Sequence, residues 1–88
     1  MNFDALDARV SAMKDELIAD LKRWISVPSV LSEPAENAPF GVETRRMLDM
    51  ALADAEKYGF PTRDFDGYAG DISLGSGQQT MGMLCHLD

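Results

Sequence analysis

The spacing of apolar residues changes character at Gly59, and that change decides what the chain can fold into. Before it, apolar side chains return every third or fourth position; after it, Asp66-Gly67 and Gly75-Ser76-Gly77 cut the chain into short pieces. A helical period followed by short glycine-bounded segments predicts helices first and strands after.

Leu6, Val10, Met13, Leu17, Leu21 and Trp24 form one stripe, widened by Ile18 and Ile25, with Arg9, Lys14, Asp15, Glu16, Lys22 and Arg23 between them. This is an amphipathic helix, expected to run from near Asp4 to Ser26 or Val27. Pro28 stops it, because proline disfavours helical geometry in the residue before it and brings no N–H of its own. Residues 28–39 hold three of the four prolines and show no sustained period, so they read as a loop of about twelve residues, long enough for a functional or lid role or for disorder. A second helix follows, with Met47, Leu48, Ala51, Leu52, Ala55 and Tyr58 on one face. Gly59 is placed to end it just past the C-cap.

Three strands are expected, at 61–65, 68–74 and 80–86. Asp66-Gly67 between the first two is a hairpin signal, since both central positions of that turn need positive φ. The third piece shows no alternation and reads as a strand covered on both faces. The expected class is thus α/β: two helices, then three strands, with no internal repeat and no domain boundary within 1–88.

Composition narrows the function classes. The 45 % apolar content lies in the globular range, and a chain of 88 residues has room for a modest core at most. Fifteen acidic against eight basic residues give a net charge of −7, with basic side chains adjacent only at Lys22-Arg23 and Arg45-Arg46. Phosphate binding needs concentrated positive charge, so neither nucleic acid nor an anionic membrane surface is an expected partner. No leader-like apolar stretch follows Met1, nothing approaches the roughly 20 apolar residues of a membrane span, and Cys85 stands alone without a disulfide partner. A cytoplasmic protein is expected.

Chemistry gathers at Cys85-His86-Leu87-Asp88. Side chains at i and i+2 of an extended segment point the same way, so His86 and Asp88 can converge while Leu87 turns toward packing. A neutral imidazole is a good ligand for a zinc-like metal when its second nitrogen is held by an acceptor, and Asp88 is such an acceptor. The triplet is short, and a lone histidine is more often a surface or core residue than a ligand. A catalytic zinc needs about three protein ligands and an open position, more than one histidine and one cysteine supply. Cys85 should diverge from His86 and read as a small core residue. Gly75-Ser76-Gly77 lacks phosphate-loop spacing and reads as a turn. The methionines at 13, 47, 50, 81 and 83 read as packing, and the acidic pairs Asp64/Asp66 and Glu33/Glu36 as solvated.

Taken in order, Trp24-Ile25-Ser26-Val27-Pro28-Ser29-Val30, Ala38-Pro39-Phe40-Gly41, Tyr58-Gly59-Phe60, Asp66-Gly67-Tyr68-Ala69-Gly70 and Met83-Leu84-Cys85-His86-Leu87-Asp88 resemble the N-terminal part of an M20-family metallopeptidase. The resemblance is greatest to the Xaa-His dipeptidase (PepV-like, carnosinase-like) branch and covers essentially the whole chain. It implies the opening part, residues 1–88, of an α/β/α catalytic domain whose sheet carries two zinc ions at its strand ends, with a smaller inserted domain elsewhere. His86 falls on the first zinc ligand of the family's His-x-Asp motif, and Asp88 on the catalytic-site carboxylate that orients it. The family's bridging aspartate, its Glu-Glu pair with the general base and its other ligands fall later than residue 88. The apolar-proline continuation usual after the motif is missing here, and Cys85 stands where a small residue such as glycine is common.

The implied activity is hydrolysis of dipeptides or short peptides by metal-activated water. The 88 residues alone are expected to be inactive, to bind zinc weakly, and, with a two-faced apolar strand left open at its edge, to associate or unfold partly. The competing expectation is a non-catalytic acidic α+β interaction module. Substrate specificity and oligomeric state are not encoded in these residues.

Overall fold

A computed structural model describes residues 1–88. Three helices, α1 (Asp4–Ala12), α2 (Lys14–Ile25) and α3 (Val42–Lys57), precede two short strands, β1 (Thr62–Asp64) and β2 (Gly70–Ile72). The mixed helix and strand content agrees with the expected class. Two details differ: the first helix is two, and the strands are two rather than three.

The first helix breaks at Met13, which ends α1 and begins α2 with φ −90° and ψ 0°. There the backbone tightens, with the Met13 N–H reaching Val10 O at 3.1 Å, before Leu17 N–H returns to Met13 O at 3.0 Å. Neither proline nor glycine marks the spot, so the apolar spacing runs through it undisturbed. The helix ends at Ile25, capped by Ser26, as Pro28 requires.

The loop that follows is ordered. Ala35 and Ala38 exchange N–H···O bonds of 2.9 Å around Asn37 at φ 58°, and Ser32 N–H reaches Phe40 O at 2.9 Å. Gly41, at φ 109°, opens α3; a Cβ there would stand 1.8 Å from Ser32 Oγ, so only glycine lets the loop lie this close. At the other end of α3, Gly59 takes φ 88°, its N–H bonding Glu56 O at 2.9 Å while Phe60 N–H bonds Ala55 O at 3.0 Å. That pair of bonds is a Schellman stop and matches the expected role of Gly59.

β1 and β2 pair antiparallel, Thr62 opposite Ile72 and Asp64 opposite Gly70. Their turn has Asp66 at φ 57° and Gly67 at φ 80°, closed by Tyr68 N–H to Phe65 O at 3.0 Å. This is the primed turn that the Asp-Gly pair predicts. The hairpin lies on α3: a Cβ on Gly70 would come within 3.0 Å of the Leu48 and Leu52 side-chain tips.

The buried set is small: Val27, Ala38, Met47, Leu48, Ala51, Leu52 and Ala55, with Trp24, Met50 and Leu87 packed against its Val27–Met47–Ala51 heart. Five of the seven come from one face of α3, the face read from the sequence. Neither α1 nor α2 buries a residue, and Leu6, Val10, Met13, Leu17 and Leu21 are all exposed. The radius of gyration, 15.7 Å, exceeds the roughly 12 Å of a compact chain this long.

The expected strand at 80–86 does not form. A strand exists only where another backbone lies alongside, and here the segment swings away from β2, leaving a gap of about 1550 Å³ between itself and a wall that includes Phe40, Leu48, Leu52 and Tyr68. Met81, Met83 and Leu84 face solvent in consequence, and Cys85, expected in the core, is exposed. No helix is long and apolar enough to cross a membrane.

Candidate functional site

His86 and Asp88 meet as the i, i+2 rule requires: His86 Nδ1 lies 3.1 Å from Asp88 Oδ1. A carboxylate only accepts, so in the neutral imidazole this contact assigns the proton to Nδ1 and leaves Nε2 as a bare lone pair. That is the disposition of a metal-ligating histidine with its orienting acceptor. Both side chains are open to solvent, 92 % for His86 and 68 % for Asp88.

Between them, Leu87 is half-buried and packs against the cluster of Val27, Met47 and Ala51. Its carbonyl accepts the Ser29 hydroxyl at 2.7 Å. The triplet is therefore attached to the helical core through its middle residue.

The pair supplies one ligand and one orienting group, and no three His, Cys, Asp or Glu side chains converge on a point that would hold an ion. The donor set fits one corner of a zinc site and does not complete one. Cys85 is free and exposed and does not complete that corner.

A second polar cluster, which residue patterns did not reveal, joins α2 to α3. Trp24 Nε1 donates to Asp54 Oδ2 at 2.7 Å, Arg23 pairs with the same carboxylate and with Asp20 at 3.1 Å, and the Tyr58 hydroxyl donates to Asp20 at 3.3 Å. The Arg23 guanidinium, with help from Trp24, holds the Asp54 carboxyl below its ordinary range against the opposing effect of desolvation. The negative charge of Asp20 pushes the Tyr58 phenol up. Beside these groups is a shallow cavity of about 250 Å³ lined chiefly by Trp24, Ala51, Ala55, Tyr58, Phe60 and Ile72. The available signal was Trp24 itself, since a packed indole N–H needs an acceptor. Spacing alone does not say which one.

A third cluster locks the hairpin to α3. Asp64, expected to be solvated, accepts the Gly67 N–H at 2.9 Å and pairs with Arg45, which also reaches Asp49 at 3.0 Å. The Gly67 amide first, and Arg45 second, draw the Asp64 carboxyl down. Across the strands, Arg63 bonds Asp71 through Nε at 3.0 and 3.1 Å, which lowers Asp71 likewise. These groups stabilise the fold and lie outside the His86–Asp88 pair.

No protein-family model matches the chain. It is similar in sequence to proteins provisionally named dipeptidases from Staphylococcus aureus, among them those of strains USA300, NCTC 8325 and bovine RF122. Each is 38 % identical over 82 residues, which cover 91 % of this chain and 18 % of the relative. The chain thus spans under a fifth of the length of the curated relatives it matches.

Proposed function

We propose that residues 1–88 form the N-terminal part of the catalytic domain of a zinc-dependent dipeptidase of the M20 family, Xaa-His branch. The observation that carries this reading is the similarity over 91 % of the chain to proteins named as dipeptidases. The His86–Asp88 contact supports it by pairing an imidazole with an acceptor and leaving Nε2 free. In this reading His86 is one metal ligand, and Asp88 is the carboxylate that holds its ring. Two zinc ions, when bound, supply an acidified water and an electrophile for the scissile carbonyl of a dipeptide. Their remaining ligands and the general base come from residues outside this chain, and the working place is the cytoplasm.

The test is metal content and dipeptide hydrolysis by the protein as it occurs in its source organism, with three variants. His86→Ala should nearly abolish both readouts, Asp88→Asn should cost about 10- to 100-fold in metal affinity or activity, and Cys85→Ser should change little. Retention of zinc and rate in His86→Ala, with their loss in Cys85→Ser, transfers the ligand role to the thiol. A wild-type protein that neither holds zinc nor cleaves dipeptides overturns the reading in favour of the acidic interaction module.

A further inference from the structure

Ser29 and Leu87 are 58 positions apart and meet through one hydrogen bond, Ser29 Oγ to Leu87 O at 2.7 Å. Leu87 is also the only residue of 73–88 that is partly buried. From these two facts we propose that Ser29 is a positioning residue for the His86–Asp88 pair, acting through Leu87; this rests on the reading that the pair is the working group.

Neighbouring side chains on extended backbone point to opposite faces. With the Leu87 side chain packed on the Val27–Met47–Ala51 cluster, His86 and Asp88 are both exposed and reach each other at 3.1 Å. Side-chain packing alone leaves the Leu87–Asp88 peptide free to rotate about the anchored Cα. The Ser29 hydroxyl removes that freedom by binding the carbonyl of this same peptide, the one that leads directly into Asp88. Ser29 is itself held by the chain just past α2, where its N–H bonds Val27 O at 2.8 Å and Val27 is buried. The Val27-Pro28-Ser29 stretch therefore does two things: its valine forms part of the floor under Leu87, and its serine sets the peptide plane.

The experiment is NMR on the labelled protein as it occurs in its source organism, at mildly alkaline pH. It reads the His86 ring-nitrogen shifts, which report the Nδ1–H tautomer, and the Leu87 methyl contacts to Val27 and Met47. In Ser29→Ala the docked population should fall roughly 2- to 12-fold relative to the undocked one, the worth of one neutral hydrogen bond. Leu87 contacts should weaken and the single-tautomer signature blur, while α3 and hairpin amide shifts stay put. Ser29→Thr, which keeps the hydroxyl, should restore both. Unchanged His86 shifts in a folded Ser29→Ala chain overturn the proposal. So does a threonine variant that behaves like alanine, and so does loss of the α3 shifts in Ser29→Ala, which makes Ser29 a support of the whole fold. The two failures stay separate: a wild-type protein without zinc or peptidase activity sinks the functional reading, whereas the His86 signature judges Ser29 whatever the protein binds.

Discussion

Residues 42–72 and the two flanks that surround them are built from about equally apolar sequence, yet the middle supplies five of the seven buried apolar side chains. α3 and the hairpin hold each other through Leu48, Leu52 and the bare backbone of Gly70, with Arg45 and Asp64 closing the rim. The N-terminal flank meets this unit through Trp24, Val27, buried Ala38 and Phe40, whose ring packs edge-on against Tyr68, and the terminal segment meets it through Leu87. Elsewhere their large apolar side chains are exposed. Period and punctuation are enough to form a helix or a turn; burial requires a second surface, which the middle makes for itself and the flanks do not.

The contrast is sharpened most by Met47→Ala. Met47 is 3 % exposed at the point where arm, α3 and terminal segment meet, so its truncation should cost about 2–5 kcal/mol. In the protein as it occurs in its source organism, that should lower the midpoint of thermal or urea unfolding. A loss below 1 kcal/mol would mean that the three parts do not share a core.

Asp54→Ala comes next, at about 1–3 kcal/mol, because it strips the Trp24 indole of its acceptor and Arg23 of a partner. Trp24 fluorescence and amide exchange in α2 should respond while the hairpin amides do not. Equal responses in both would erase the distinction between arm and middle.

Acid should act more gradually. Asp54, Asp64 and Asp71 are all held below the ordinary carboxylate value of 3.8, so the folded chain binds fewer protons than the unfolded one. Their contribution is complete above about pH 5 and drains away as pH falls through the ordinary and then the lower folded values. Circular dichroism with pH should show a flat region above that point and a decline below it. A decline centred near pH 6 would point away from these carboxylates.

The smallest effect is expected on the arm. Leu6→Gln and Val10→Gln replace exposed side chains on α1 and should shift stability by no more than about 0.5 kcal/mol. If either costs over 1 kcal/mol, with a dependence on protein concentration, the arm's stripe is covered in solution by another copy.

What was legible in the sequence was whatever is written locally. Gly59 as helix stop, Asp66-Gly67 as turn, the α3 face and the end of the first helix before Pro28 all follow from residues within one turn of the feature. The approach of His86 to Asp88 belongs here too, being a matter of two positions on one extended segment. The break at Met13 was not legible, because it leaves the apolar spacing intact. Nor was the fate of 80–86, whose apolar run specifies a need for neighbours without supplying them. Trp24–Asp54, Arg45–Asp64 and Ser29–Leu87 cross 30, 19 and 58 positions, and no period connects residues that far apart.

The short sequence separations within 42–72 also set an order in time. A β-hairpin closes in about 1–10 μs, and helix elongation is faster still. A ribosome adding roughly 5–20 residues per second needs on the order of 1 s to add residues 73–88. Once Ile72 has cleared the exit tunnel, α3 and the hairpin can settle together well before His86 emerges, and the arm, made earlier, can find Asp54 in the same interval. The Ser29–Leu87 latch forms last, on a surface already made, so the segment bearing His86 and Asp88 is captured by a template and takes no part in nucleating the fold.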